Sequence, residues 1–86
     1  MYAIEFLKTA FDELKRLDKP VQRLIKEKLA ILSFNEDSLK NNIKSLNGNY
    51  KGLFRLRVGK YRIIYQKQEE KFIIIIVRIG HRKEIY

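Results

Sequence analysis

Residues 72–79 read Phe-Ile-Ile-Ile-Ile-Val-Arg-Ile, and no other run constrains the fold as much. β-Branched side chains favour extended backbone. A strand with one wet face would carry a polar residue at every second position. This run carries only Arg78. It is therefore expected to be buried on both faces, in a central place in a sheet. The rest of the chain must supply the neighbouring strands and the cover.

The neighbours come just before it. Leu53 to Val58, LFRLRV, alternates after Leu53, and Tyr61 to Gln66, YRIIYQ, is a return strand. Gly59-Lys60 between them has glycine first, which suits a two-residue type II′ hairpin loop. With that loop, Val58 pairs with Tyr61, Arg57 with Arg62, and Arg55 with Ile64. Side chains two apart share a face. Arg55, Arg57 and Arg62 then converge on one face. Phe54, Leu56, Val58, Tyr61, Ile63 and Tyr65 take the other, towards a covering layer.

The first half supplies that layer. Residues 1–7 alternate loosely and suit a short first strand. Leu7, Phe11, Leu14 and Leu17 recur at helical spacing, and so do Val21, Leu24, Ile25, Leu29 and Leu32. Pro20 fits the first turn of the second helix. An α-hairpin over residues of about 8–18 and 20–34 follows. Residues 35–42 are a polar connector, Asn47-Gly48-Asn49 is a turn, and Glu69-Glu70 is another. The order β-α-α-β-β-β predicts a two-layer α+β sandwich, with residues 1–86 as a single domain.

Composition narrows the function. The 86 residues carry a net charge of +9, with no cysteine and one histidine. Residues 1–43 hold eight basic and seven acidic side chains; residues 44–86 hold eleven and three. The excess thus sits on the β half, which suggests an anionic partner, nucleic acid being the commonest. Disulfides and thiolate metal sites are excluded, and His81 alone cannot build a histidine site. No metal and no small-molecule cofactor is expected. No apolar run approaches the length of a membrane span, and the N-terminus lacks a signal-peptide layout. A cytoplasmic protein is expected.

The three arginines sharpen this. Like charges directly opposite in a sheet are unfavourable by a few tenths to about 1 kcal/mol. An anion between Arg57 and Arg62 would relieve that, and a guanidinium fits a phosphate bidentately. The blander alternative is that basic side chains keep a sheet edge soluble. The convergence of three on one face favours phosphate. After Gly80 the chain ends His81-Arg82-Lys83-Glu84-Ile85-Tyr86. Arg82 and Lys83 should emerge near the sheet edge, and Tyr86 could stack on a base. Leu53, Ile64 and the end of the central strand are candidate apolar contacts for a protein partner.

The segment Tyr50-Lys51-Gly52-Leu53-Phe54-Arg55-Leu56-Arg57-Val58-Gly59-Lys60-Tyr61-Arg62-Ile63-Ile64-Tyr65, joined to the tail Gly80-His81-Arg82-Lys83-Glu84-Ile85-Tyr86, resembles the bacterial RelE/ParE toxin superfamily, in its RelE-like branch. The resemblance implies a RelE-like fold and a toxin of a toxin–antitoxin pair. It implies cleavage of messenger RNA in the ribosomal A site, and silencing by a cognate antitoxin. Its partners would be that antitoxin, the ribosome and mRNA. Arg62 matches the arginine that holds the scissile phosphate. Arg82 matches a second catalytic arginine, and Tyr86 the terminal tyrosine that positions the base. Arg55 stands where a family lysine often does, and Arg57 matches a frequent arginine. The first family lysine is replaced by Leu53 in an ungapped alignment. Lys51 could serve if the strand bulges at Gly52, and His81 is the other candidate base.

Those residues would support cleavage without a metal. A base takes the ribose 2′-OH proton, the oxygen attacks the neighbouring phosphorus, arginines stabilise the charge of the transition state, and an acid protonates the leaving 5′-oxygen as its bond to phosphorus breaks. The products would be a 2′,3′-cyclic phosphate and a 5′-OH. Two other functions stay open: a ParE-like inhibitor of DNA gyrase, and a non-catalytic RNA-binding relative. The presence of Arg62, Arg82 and Tyr86 favours the endoribonuclease.

Overall fold

The computed structural model describes residues 1–83. Strand β1 (Ala3–Phe6) leads into helices α1 (Lys8–Lys15) and α2 (Lys19–Phe34). A 3₁₀ segment, Glu36–Asn42, precedes β2 (Ile43–Ser45), and a 3₁₀ turn, Gly48–Tyr50, precedes β3 (Phe54–Val58). Strand β4 (Tyr61–Gln68), a 3₁₀ turn (Glu69–Lys71) and β5 (Ile73–His81) complete the order. The sheet runs β1-β5-β4-β3-β2, with β1 parallel to β5 and all other pairs antiparallel.

The α+β architecture is the expected one, with differences of detail. Strand β2 is not signalled by the sequence, because three residues are too few to show a period. The apolar run of β5 lies inside the sheet, one place from the middle, which β4 holds, but it is not buried on both faces: Ile74, Ile76 and Ile79 are buried under the helices, while Ile73, Ile75 and Val77 are half-buried. Helix α1 stops at Lys15 rather than near 18. There the Arg16 and Leu17 amides donate to the carbonyls of Glu13 and Leu14 in a tightened last turn. The buried Gln22 side chain then donates to Leu17 O at 2.7 Å and Lys15 O at 3.2 Å. It satisfies carbonyls that the helix end leaves without partners. Pro20 sits in the first turn of α2, where its missing N–H costs nothing.

The helices cover one face of the sheet. Ala10, Leu14, Ile25, Leu29 and Leu32 pack on Leu56, Val58, Ile63, Tyr65, Ile74, Ile76 and Ile79. Fully burying an aliphatic side chain of this size contributes roughly 1.5–3 kcal/mol. The spacing within β5 needs a correction to the pleat, since Ile76 and Ile79 are three apart yet both face the core. A β-bulge supplies it: Tyr65 pairs with Ile76 and Ile64 with Arg78, leaving Val77 as the extra residue. Val77 turns to the opposite face. There it joins a small cluster with buried Leu46 and Ile64 and with Tyr50 and Leu53.

One polar clasp pins the connector to the sheet. Glu36 accepts from Tyr65 Oη at 3.1 Å and from Lys67 Nζ, and that ammonium lies 5.5 Å from the Tyr2 ring centroid. Burial, with Glu36 alongside, pushes the Tyr65 phenol well above its ordinary range.

Candidate nucleic-acid interface

The hairpin has the register its loop demands. Val58 pairs with Tyr61, Arg57 with Arg62, and Arg55 with Ile64. Gly59 has φ +58, while Lys60 is not among the residues with positive φ, as a type II′ turn requires. The core-side row Leu56–Ile63–Ile79 fixes which face is which. Arg57, Arg62 and Gly80 form the next row, on the face away from the helices. Glycine at position 80 puts no side chain beside Arg62. Lys44, Arg55 and Ile64 form a second row on that face.

The sequence-predicted residues divide into groups. Arg57 is exposed; Arg55 and Arg62 are half-buried, with their Nε atoms inside the protein. Arg82 is exposed, and its amide donates to Lys60 O at 2.9 Å, which ties it to the hairpin loop. Lys83, also exposed, follows. Arg57, Arg62 and Arg82 therefore gather at one end of the sheet. Tyr86 lies outside the described residues.

His81 is placed differently. It pairs with Tyr61, and the two rings meet edge to face at 5.7 Å. Tyr61 packs against the helix-side core, so the imidazole is on the side away from the arginine row. Its Nδ1 accepts the Lys83 amide at 3.2 Å, which leaves the proton of the neutral ring on Nε2. Lys51 is exposed and lies in a turn before β3, not on a bulged strand. Gly52, with φ +91, makes that turn. Tyr50 and Leu53 on either side pack on the arginine face, so Lys51 belongs to that side of the sheet.

Ile64 needs a correction as a partner contact: it is 1% exposed, beneath Leu46, Tyr50, Leu53 and Val77. The turn before β3 folds over it, a long-range packing that no local pattern signals. Sequence reasoning also missed Lys44, carried on the three-residue strand β2 opposite Arg55, and the pairing of Arg78 with Glu13. Glu13 accepts from Arg78 Nε at 3.0 Å and Nη2 at 2.9 Å, and from the Ile79 amide at 2.9 Å. Those hydrogen bonds hold the Arg78 guanidinium further above its ordinary pKa. Among the described residues no group of three His, Asp or Glu side chains could hold a metal ion. No helix among them is long and apolar enough to cross a membrane.

A basic strand pair backed by an α-hairpin defines a class, and comparison with known proteins agrees. The family described as "ParE toxin of type II toxin-antitoxin system, parDE" matches residues 4–86, and the chain belongs to it, within the RelE/ParE toxin superfamily. The chain is 28% identical over 87 residues to the Escherichia coli K12 protein named mRNA interferase toxin RelE, covering 99% of this chain and 90% of that one. It is 29% identical over 85 residues to Mycobacterium tuberculosis toxin RelG, covering 99% and 95%. The archaeal RelE–RelB complex of Pyrococcus horikoshii contains a chain with the same fold. Its TM-score is 0.78 at 26% identity, over 96% of this chain and 97% of that one.

Proposed function

We propose that this chain is a ribosome-dependent endoribonuclease that cuts mRNA and is held inactive by a cognate antitoxin. The observation that carries the proposal is the row Arg57–Arg62–Gly80, with Arg82 fixed at the same end of the sheet. Two opposed guanidinium groups concentrate positive charge on this face, and a guanidinium fits a phosphate bidentately. The scissile phosphate of an RNA strand is that phosphate. Relatives named mRNA interferase support the activity, and the solved RelE–RelB complex supports an antitoxin partner. The protein would act in the cytoplasm as the single domain of residues 1–86.

In this mechanism Arg57, Arg62 and Arg82 bind the phosphate and stabilise the charge that grows on it as the 2′-oxygen attacks. A guanidinium stays protonated at any physiological pH, so an arginine is a poor base. Proton transfer then falls to Lys51 or His81. Lys51 lies on the arginine side of the sheet and His81 on the other, which supports Lys51. Arg55 and Lys83 extend the phosphate-binding surface, and Tyr86 would position the base.

The test is primer extension on a defined messenger in a purified translation system, with and without ribosomes. Cleavage within A-site codons only when ribosomes are present, lost in Arg62→Ala, is expected. A second reading is a ParE-like inhibitor of DNA gyrase, and the match to the ParE toxin family supports it. Intact messenger together with inhibited supercoiling would replace the first reading with this one. Intact messenger and normal supercoiling would leave a non-catalytic RNA-binding relative.

A further inference from the structure

Strand β1 pairs with β5 only as far as Ile76, so among the described residues the outer edge of β5 beyond that point has no neighbouring strand. Helix α1 lies there instead. Glu13 takes the Ile79 amide that a strand would otherwise accept, and the same carboxylate grips Arg78. A guanidinium carries five N–H donors in a rigid fork. Glu13 engages Nε and Nη2, on a side chain that is still 41% exposed. Arg78 is thus a cation held in one orientation with donors to spare.

Beside it is a cavity of about 200 Å³, lined by Glu13, Arg16, Leu17, Arg78, Gly80 and His81. A water occupies roughly 30 Å³ in the liquid, so this space suits a larger guest. The lining residues include two arginines and a histidine with one acidic residue, Glu13, whose carboxylate is committed to Arg78, while Asp12 of α1, near Arg16, is not among them. The Lys15 and Leu17 carbonyls at the end of α1 are taken by Gln22. Leu17 adds an apolar wall. Gly80 belongs both to this lining and to the row of Arg62, so the cavity and the arginine row adjoin across one strand.

We propose that this cavity is a second nucleotide subsite, in which Arg16 and Arg78 bind a phosphate while Leu17 and His81 pack on its sugar or base. It rests on the RNA reading above for its biological ligand: the nucleotide would flank the one held at the arginine row. The strand would pass round the edge of β5 that β1 leaves open.

The test is titration of the ¹⁵N-labelled protein with adenosine 5′-monophosphate. Inorganic phosphate and acetate, the latter standing for a protein carboxylate, are parallel arms. Saturable shifts of the Ile79, Gly80 and His81 amides are expected with the nucleotide. Arg16→Ala should weaken its binding roughly tenfold, as loss of a charge-assisted hydrogen bond implies, and Arg16→Glu should abolish it. Arg62→Ala should leave these shifts in place. The proposal is overturned by no saturable shift at the three amides, by indifference to both Arg16 variants, or by phosphate or acetate binding as tightly as the nucleotide. Cleavage is not the readout. A protein that seats the nucleotide but cuts no RNA keeps this subsite and loses the endoribonuclease assignment. One that cuts RNA without seating the nucleotide does the reverse.

Discussion

Arg57 and Arg62 stand directly opposite each other on adjacent strands, on the face of the sheet that the helices do not cover. Stability alone would not select this pair, because each charge raises the energy of the other. Arg57→Thr should therefore stabilise the free protein by a few tenths to about 1 kcal/mol, while weakening RNA binding. Urea unfolding and RNA titration of the same variant check the two halves. A variant both less stable and equally good at binding would remove the role assigned to the pair.

Arg62→Ala is expected to lower the single-turnover cleavage rate on programmed ribosomes by about 10²–10³-fold, the usual effect of deleting one donor to a transition-state oxyanion. Urea unfolding should show the variant still folded, since Arg62 lies outside the helix-side core.

Phosphate contacts also register in the salt dependence. Arg82→Ala should reduce the slope of log affinity for single-stranded RNA against log salt by about 0.7, the value for one lost contact. Fluorescence anisotropy between 50 and 200 mM salt, roughly the range in which such slopes are read, measures it. An unchanged slope would place Arg82 away from the RNA backbone.

Glu13 is a structural hinge point of a different kind, since one carboxylate serves both the Ile79 amide and Arg78. Glu13→Ala removes both acceptors and should cost about 2–3 kcal/mol. Glu13→Gln keeps an oxygen for the amide and should cost clearly less. Chemical denaturation of the two variants side by side gives the comparison, and equal losses would mean the amide contact contributes little.

Alkaline pH should unfold the protein through Tyr65 and Lys67. Both pKa values are raised in the folded state, Tyr65 chiefly by burial and Lys67 chiefly by its hydrogen bond to Glu36. Above about pH 10 the unfolded chain releases these protons while the folded one retains them. Stability is then whole below that pH and falls as pH rises. Tyr65→Phe should flatten the fall, as read from urea midpoints at several pH values on either side of it.

The residues themselves determined the hairpin and what it carries. A two-residue loop with glycine first permits one register, and a period of two then assigns every side chain to a face. The arginine row was legible for that reason, because both rules act over a few residues. The continuous apolar run of β5 likewise announced an interior strand. What the tertiary structure decided depends on contacts between distant segments. Val77 bulges because Ile76 and Ile79 must both reach the helices. Ile64 is buried because the turn before β3 folds over it. Glu13 and Arg78, 65 residues apart, meet because β1 ends early and leaves α1 to finish the sheet edge. His81 lies across the sheet from Arg62 although the two strands pair, because its own cross-strand partner is Tyr61. Each of these is a choice among packings of similar local propensity, and only burial of the whole core selects between them.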